Sequence, residues 1–251
     1  MPYCAPHMSE IGRVFLIRRY PFKGMRGEDL ESVLVRTSGL TGDRVYAFSD
    51  PSKTSNFPWV TSRERPEMLL YRPRLVRPPV PDVKFPDPEA YELEVETPEG
   101  RTFKVSDPGF TKEFEGRLKT PLKLRFSEGG QHDSRPISIL GLSSIERLER
   151  EVNMNLDRNR FRANFYVKWN DPNPFFEESL IGKTIQLGEK ARVHVSKRNK
   201  RCVVITLDPQ TAKPSPEVLK HVGQKYKGLF GVYGVVVDDG VVKNGDAVSL
   251  V

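Results

Sequence analysis

Short runs that alternate between apolar and polar residues, or that are rich in β-branched residues, recur along the whole chain between Gly, Pro, Asn or Asp. They cover residues 13–17, 32–36, 44–48, 91–95, 102–105 and 122–126 in the first half, and residues 163–168, 184–187, 191–195, 202–207, 231–237 and 247–251 in the second. Such runs are typical of strands, and many short strands at this spacing are typical of barrels and sandwiches. We therefore predict a mainly β protein in two β-rich halves that join near residues 127–136.

A few helices interrupt this β pattern. Three segments carry helical signals: an apolar spacing of four at Phe110, Phe114 and Leu118, a capping-box pair at Ser143 and Glu146, and an N-cap followed by proline at Ser215 and Pro216. A capping box pairs free amide groups at a helix start, and proline suits the first helical position because an N–H there would have no partner. We expect the second helix to pack its apolar side against a barrel.

Proline is concentrated in one part of the first half, where seven prolines lie from position 73 to position 98. Because proline has a fixed φ and no N–H, this density excludes a long helix and a central strand. We interpret the segment as a surface excursion. Residues 98–100 then join two alternating runs and predict a hairpin turn.

Composition narrows the possible functions. The 251 residues include 40 Lys and Arg against 33 Asp and Glu, and the net charge of +7 favours anionic partners. The two cysteines, Cys4 and Cys202, are too few for a disulfide framework, a four-thiolate zinc site or an iron–sulfur cluster held entirely by cysteine. No apolar run approaches the roughly 20 residues needed to cross a bilayer, and the N-terminus lacks the features of a secretory signal. We expect a cytoplasmic protein without a membrane span.

Cys202 is the most informative single residue. It opens an apolar run that we predict to be a strand, and it directly follows the basic run at residues 197–201. Four cations within five residues stabilise a thiolate, which is either a nucleophile or a ligand for a soft or high-valent metal centre. The alternative is a buried structural cysteine beside a solvated basic run.

A second basic group occupies residues 157–164. If this segment is an incoming strand, its alternation places Arg160, Arg162 and Asn164 on one face. Arginine offers a planar fork of donors to phosphate oxygens, and asparagine both donates to and accepts from a heterocycle edge. The alternative is a surface cluster paired with nearby acidic residues.

Three turns of the first half, at residues 20–24, 39–44 and 61–66, each combine a turn with a cation. Glycine in such turns lets backbone amides approach an anion, although ordinary turns have the same appearance. The sequence contains neither of the common glycine-rich nucleotide loops, no paired-histidine zinc motif and no nucleophile elbow. His132 and Asp133 form a candidate polar pair. Basic and acidic residues are interleaved without a nucleic-acid-binding signature, so specific nucleic-acid binding is a minor interpretation.

Taken in order, these motifs resemble the MOSC family, named after the C-terminus of molybdenum-cofactor sulfurase, in its two-part form. The motifs are VFLIRRYPFKGMRG at 14–27, GLTGDR at 39–44, TSRERPEML at 61–69, RFRAN at 160–164, RC at 201–202, DP at 208–209 and FGVY at 230–233. The resemblance implies an N-terminal MOSC-type β-barrel domain over residues 1–128 and a MOSC barrel over residues 129–251.

The chain is most similar to the amidoxime-reducing component group, whose members bind molybdenum on molybdopterin and use a protein cysteine as a metal ligand. The resemblance implies that Cys202 is this ligand and that Asp133 lies near the metal. It further implies that the pterin and its phosphate are held by Lys23, Arg44, Arg63, Arg160, Arg162 and Asn164, with Tyr233 lining the pocket. The chain departs from the pattern at Ala163, where proline is common, and at Gly24, where serine often follows the lysine.

The activity that the resemblance implies is reduction of N-hydroxylated substrates such as amidoximes, hydroxylamines or N-hydroxylated bases. Electrons then come from a separate redox protein of the flavoprotein reductase, b-type cytochrome or ferredoxin type. The first alternative is a protein that carries molybdenum cofactor, or sulfur as a persulfide on Cys202, without substrate turnover. A further alternative is a non-enzymatic protein that binds nucleic acid or another anion through its basic face.

Overall fold

The computed structural model describes residues 9–76 and 91–251. The strands of these residues are β1 (Ser9–Arg19), β2 (Glu28–Leu30), β3 (Ser32–Arg36), β4 (Gly39–Leu40), β5 (Tyr46–Ser49), β6 (Trp59–Val60), β7 (Arg72–Leu75), β8 (Leu93–Glu96), β9 (Thr102–Lys104), β10 (Lys123–Phe126), β11 (Ile137–Gly141), β12 (Phe165–Trp169), β13 (Thr184–Leu187), β14 (Ala191–Lys200), β15 (Leu229–Asp238), β16 (Gly240–Lys243) and β17 (Ala247–Leu250). The helices are α1 (Pro108–Leu118), α2 (Leu142–Val152) and α3 (Pro216–Tyr226), and 3-10 turns cover Pro66–Leu70, Arg158–Phe161, Phe176–Leu180 and Val203–Thr206. A mainly β protein with a few helices is thereby confirmed.

Seven strands close into a barrel in the order β12-β11-β15-β14-β13-β17-β1, because β1 also pairs with β12. The barrel is antiparallel except for the β11–β12 pair, which is parallel. Its inward positions are aliphatic and aromatic, and side chains such as Ile17, Phe165 and Val193 are completely buried. Closure removes free sheet edges and fixes the ends of the strands that carry the site described below.

The first half contributes to the barrel as well as forming its own core. β1 supplies a barrel strand, and β3 of the first half pairs with β16 of the second. The separate core lies among the sheets β10-β5-β6 and β7-β8-β9 and helix α1. It is aromatic: the ring of Phe48 lies 4.9 Å from Phe22 and 5.0 Å from Phe114 between centroids. The division at residue 128 remains a prediction.

Helices α1 and α3 confirm the sequence-based expectations. In α1 the buried residues are the three spaced by four, and the Asp107 carboxylate caps the helix by accepting from the Gly109 amide at 2.7 Å. Helix α3 has Ser215 at its N-cap and Pro216 in its first turn.

Helix α2 is present, but the capping box predicted for it at Ser143 and Glu146 was wrong. Its N-cap is Gly141, and the Ser143 hydroxyl instead donates to the Asn173 carbonyl at 3.3 Å. The buried Glu177 carboxylate accepts from the Gly141 amide at 3.2 Å, so a residue distant in sequence caps this helix.

The hairpin expected at residues 98–100 is confirmed, because β8 and β9 pair on either side of it and the Thr97 amide donates to the Arg101 carbonyl at 2.7 Å. Pro73 lies in β7, an edge strand of its sheet, as the missing N–H of proline requires. The exclusion of a central strand between positions 73 and 98 was wrong, because β8 is the central strand of this sheet; its four residues contain no proline. Most of the predicted surface excursion, residues 77–90, lies outside the described residues. In the described residues, no helix has the length and apolarity that spanning a membrane requires.

Candidate functional site

A cavity of about 380 Å³ lies where loops of the first half meet the end of β14 and the segment that follows it. Eight of the nine residues singled out from the sequence line it: Lys23, Arg44, Arg63, Asp133, Arg162, Asn164, Cys202 and Tyr233. These residues are spread over more than 200 positions of sequence, and the fold brings them to one place. Arg160, the ninth, is not among the lining residues.

The strand expected over residues 160–164 was wrong. Residues Arg158–Phe161 form a 3-10 turn, and Arg162 follows in the left-handed region with φ 51°. Because this backbone is not a strand, its side chains do not alternate across a sheet, and Arg160 and Arg162 lie in different surroundings. Arg44 is also left-handed, with φ 56°. Non-glycine residues in this region are strained by about 1 kcal/mol or more, and such strain concentrates at functional sites.

Arg44 and Arg162 share one aromatic support. Their guanidinium carbons lie 4.9 and 4.3 Å from the centre of the Tyr20 ring, within cation–π range. Arg44 forms an ion pair with Asp43, and Arg162 donates to the Met25 carbonyl at 2.6 Å. The pKa of Arg162 is lowered to about 10, mainly by burial; Tyr20 opposes this change and the nearby Arg44 charge adds to it. An anion bound here would relieve the repulsion between the two cations.

Asn164 lies in the cavity wall with its amide fully engaged. The side-chain oxygen accepts from the Ser138 amide at 3.1 Å and from the Ser138 hydroxyl at 2.9 Å. The side-chain nitrogen donates to the Asp43 carboxylate at 3.2 Å and to the Arg18 carbonyl at 3.3 Å. Asn164 therefore ties the start of β12 to β11 and to the Asp43 turn, and so orients Arg44.

A charged triad occupies another part of the wall. The Asp133 carboxylate pairs with the Lys23 ammonium through one oxygen and with the Arg63 guanidinium through the other. Lys23 also donates to the Gln131 carbonyl at 2.5 Å. Burial lowers the pKa of Lys23 to about 8, although the charge of Asp133 opposes this change. Burial alone would raise the pKa of Asp133, but Lys23 and Arg63 hold it below the ordinary value.

Cys202 begins the Val203–Thr206 turn, so the strand expected over residues 202–207 was also wrong. The Ile205 amide donates to the Cys202 carbonyl at 3.2 Å. The apolar run is explained by burial outside a sheet: Ile205 is buried in an apolar cluster with Phe161, Val218 and Phe230, and Val204 is buried in the cavity wall. The Cys202 thiol is free and half-buried. Burial by itself would lower the pKa of Arg63. The interactions of Arg63 with Cys202 and Asp133 outweigh burial and raise this pKa above the usual range.

Arg160 lies behind the cavity wall and is 4% exposed. Its guanidinium donates to the Ile205 carbonyl at 3.2 Å and lies 3.9 Å from the Asp208 carboxylate. Burial lowers the pKa of Arg160, and Asp208 opposes the change. The structure thus places Arg160 against the segment that follows Cys202 rather than in the cavity.

Several lining residues were not singled out as binding residues. They include Arg135, Ser138, Phe161, Lys197, Lys200 and Arg201. The basic run at 197–201 was noticed only as the surroundings of Cys202, although its cations also line the cavity. His132 lies 4.0 Å from Asp43, and burial lowers its pKa.

The lining is strongly cationic. It contains nine Lys and Arg side chains, and Asp133 is the only carboxylate among the lining residues of the described chain. The buried Nε atom of Arg201 has no hydrogen-bond partner. Gly24 adopts φ +87°, and a Cβ there would lie 3.0 Å from the Thr61 Cα, so glycine lets the turn after Lys23 pack closely against the Thr61 backbone. A polyanion that offers acceptors, beside one soft sulfur ligand, fits these residues.

Comparisons with known proteins add a family and a fold. The MOSC domain model matches residues 127–249, and the MOSC N-terminal beta barrel domain model matches residues 11–119. The crystal structure of the YUAD protein from Bacillus subtilis has a TM-score of 0.53 and 12% identity over 97% of each chain. The match to the crystal structure of YiiM from Geobacillus stearothermophilus covers 47% of this chain and 54% of the YiiM chain, with 20% identity and a TM-score of 0.37. No curated protein matches significantly.

Proposed function

Because the chain belongs to the MOSC family and carries its N-terminal β-barrel domain, we propose that the cavity binds a molybdenum cofactor and reduces N-hydroxylated compounds. The MOSC family is associated with molybdenum-cofactor enzymes. The observation that supports the proposal most strongly is the position of one free thiol, Cys202, in the wall of a cavity lined by nine cations. A soft ligand and a site for a polyanion are the two features that a metal on a phosphorylated pterin requires.

In this proposal Cys202 ligates the metal, and the cations hold the pterin phosphate. Arg44 and Arg162 form the most prearranged anion site, since both rest on the Tyr20 ring. Arg201 supplies an unused buried donor. When bound, the cofactor supplies the two-electron chemistry that cleaves an N–O bond.

The reaction consumes two protons with two electrons, as R–NH–OH + 2 e⁻ + 2 H⁺ gives R–NH₂ + H₂O. Lys23 provides the proton-holding group of the cavity, and the ionised Asp133 carboxylate pairs with it. Because its pKa is about 8, Lys23 keeps its proton at lower pH, and its ammonium contacts the Asp133 carboxylate directly. We assign Asp133 the task of orienting this ammonium and Arg63 toward the reacting centre, so that Lys23 Nζ donates one of the two protons. The second proton, and the one that recharges Lys23, come from solvent water.

The electrons come from a separate redox protein in this proposal, of the flavoprotein reductase, b-type cytochrome or ferredoxin type. We place the reaction in the cytoplasm, where Cys202 stays reduced before the metal binds.

The proposal is tested by activity with a chemical reductant, which removes the need to know the protein donor. Protein from a host that makes molybdenum cofactor is supplied with dithionite-reduced viologen and either benzamidoxime or a hydroxylamine. We expect turnover in the natural chain and none in Cys202→Ala. Equal turnover by Cys202→Ala, or none by a metal-loaded natural chain, would contradict the mechanism.

A second candidate function is carriage of the cofactor, or of sulfur, without turnover. The half-buried Cys202 thiol beside Arg63 favours it, because the same environment stabilises a persulfide anion. A carrier would show a persulfide mass increment on the peptide that contains Cys202 and no reduction of either substrate.

A further inference from the structure

We infer that Arg160 is a positioning residue for Cys202, acting from behind the cavity wall as one half of a reciprocal clamp. The clamp joins the turn Arg158–Phe161 to the segment 201–209. Arg160 reaches from the first to the second, and Arg201 reaches from the second to the first. Cys202 lies between the two points of attachment.

The two contacts are made by side-chain donors to main-chain acceptors. Arg160 donates to the Ile205 carbonyl at 3.2 Å, three residues after Cys202. Arg201, the residue before Cys202, donates to the Phe161 carbonyl at 2.5 Å. The Arg201 amide also donates to the Gly228 carbonyl at 2.8 Å. The main chain on both sides of the thiol is therefore held by groups outside the segment itself.

Packing and a third donor extend the clamp. Phe161 stacks on Phe230 with centroids 5.0 Å apart, so the turn that carries Arg160 is fixed to β15. Arg26 donates to the Pro209 carbonyl at 2.5 Å and holds the far end of the segment. Cys202 thus opens a stretch that is anchored at its start, middle and end.

The chemistry of arginine explains why this position carries it. Arg160 faces two acceptors, the Ile205 carbonyl and the Asp208 carboxylate, which a planar fork can address together. Its Nε has no partner, although the side chain is 4% exposed. Burying a cation with an unused donor costs folding free energy, which the other contacts of the side chain must offset. Both of these contacts hold the segment that contains Cys202.

Amide hydrogen exchange tests the clamp in the cofactor-free full-length protein, so this part does not depend on the proposed function. The Ile205 and Leu207 amides donate within the segment and report its opening. We compare Arg160→Gln and Arg160→Lys with the control Arg158→Gln. Arg158 belongs to the same 3-10 turn but rests on the Phe15 ring, 5.1 Å from its centre.

We expect exchange of the peptide covering residues 203–207 to rise about tenfold in Arg160→Gln, the effect of losing one hydrogen bond from a charged donor. Arg160→Lys keeps one contact, so exchange of the same peptide should rise less in this variant. The control and the peptides of α3 should stay unchanged. Unchanged exchange at 203–207 in Arg160→Gln would overturn the inference. An equal rise in all peptides would also overturn it, because that result means only a loss of global stability.

The second part rests on the proposed function and uses the metal-loaded enzyme. Since Arg160 does not line the cavity, Arg160→Gln should lower kcat and leave KM for the N-hydroxylated substrate unchanged, with partial recovery in Arg160→Lys. A raised KM with unchanged kcat would contradict positioning. If the natural chain shows no turnover at all, the proposed function fails while the exchange result still decides the clamp.

Discussion

Strand β14 begins in the barrel core and ends in the wall of the cavity. Val193 and Val195 are completely buried among aliphatic neighbours, whereas Lys197 and Lys200 on the same strand are exposed and line the cavity. The core has regular strands and apolar contacts. The cavity has two left-handed arginines, a lysine with a lowered pKa and an unpaired buried donor. The comparison indicates that the barrel supplies the stability that lets the cavity hold charges in unfavourable positions.

The largest expected effect is on the core side of this comparison. Phe165 is completely buried inside the barrel, so Phe165→Ala should lower the free energy of unfolding by about 3–5 kcal/mol. Phe15→Ala is the matched control, because Phe15 lies on barrel strand β1 but is 48% exposed. Urea denaturation measures both. Similar losses in the two variants would show that the barrel core does not dominate stability.

On the cavity side, Lys23 predicts a pH dependence of stability. Its pKa is about 8 in the folded protein and near 10.5 when unfolded, so the unfolded state holds more protons between these values. Stability should therefore rise with pH across this interval, by about 1.4 kcal/mol per unit at most, relative to Lys23→Gln. Below pH 8 the folded state carries the buried charge and the gain is absent. Parallel stability curves for the two proteins would contradict the assignment.

We expect substitution of Arg162 to reduce anion binding with little loss of stability. Pyrophosphate, used as a probe, should raise the Tm of the cofactor-free protein. At a concentration 100 times its Kd, it should add about 2.7 kcal/mol to the free energy of unfolding. Arg162→Gln should abolish most of this rise, because one of the two cavity-lining guanidinium groups on Tyr20 is lost. Lys190→Gln, a change of the same charge outside the cavity lining, should retain it. An undiminished rise in Arg162→Gln would place anion binding elsewhere.

Cys202→Ala should have the smallest effect on the cofactor-free protein. The thiol is half-buried and its principal polar contact is with Arg63, so we expect a change of less than about 1 kcal/mol in the free energy of unfolding. A large loss of stability in this variant would identify Cys202 as a structural residue, which is the alternative that the sequence left open.

Local patterns predicted elements whose contacts are local or periodic. The spacing of Phe110, Phe114 and Leu118 identified helix α1, and proline after Ser215 identified the start of α3. The apolar run after Cys202 was misread because a buried 3-10 turn and a buried strand have the same composition. Closure of the barrel by β1 is a long-range pairing that no local pattern reports.

The candidate site shows the same limit. Family motifs predicted eight cavity residues, but only the three-dimensional arrangement separates Arg162, which lines the cavity, from Arg160 two positions earlier. The separation arises because Arg162 is left-handed, and this conformation has no signal in the residue type. Pairing of Asp133 with both Lys23 and Arg63 likewise depends on loops that are distant in sequence.

The proposed function requires that Cys202 and the surrounding cations hold a molybdenum cofactor. The most direct measurement is the molybdenum and oxidised pterin content per chain, for the natural protein and Cys202→Ala purified from a host that makes the cofactor. We expect near-stoichiometric molybdenum and pterin in the natural chain and loss of molybdenum in the variant. A folded natural chain that contains neither, or a variant that retains its molybdenum, would contradict it.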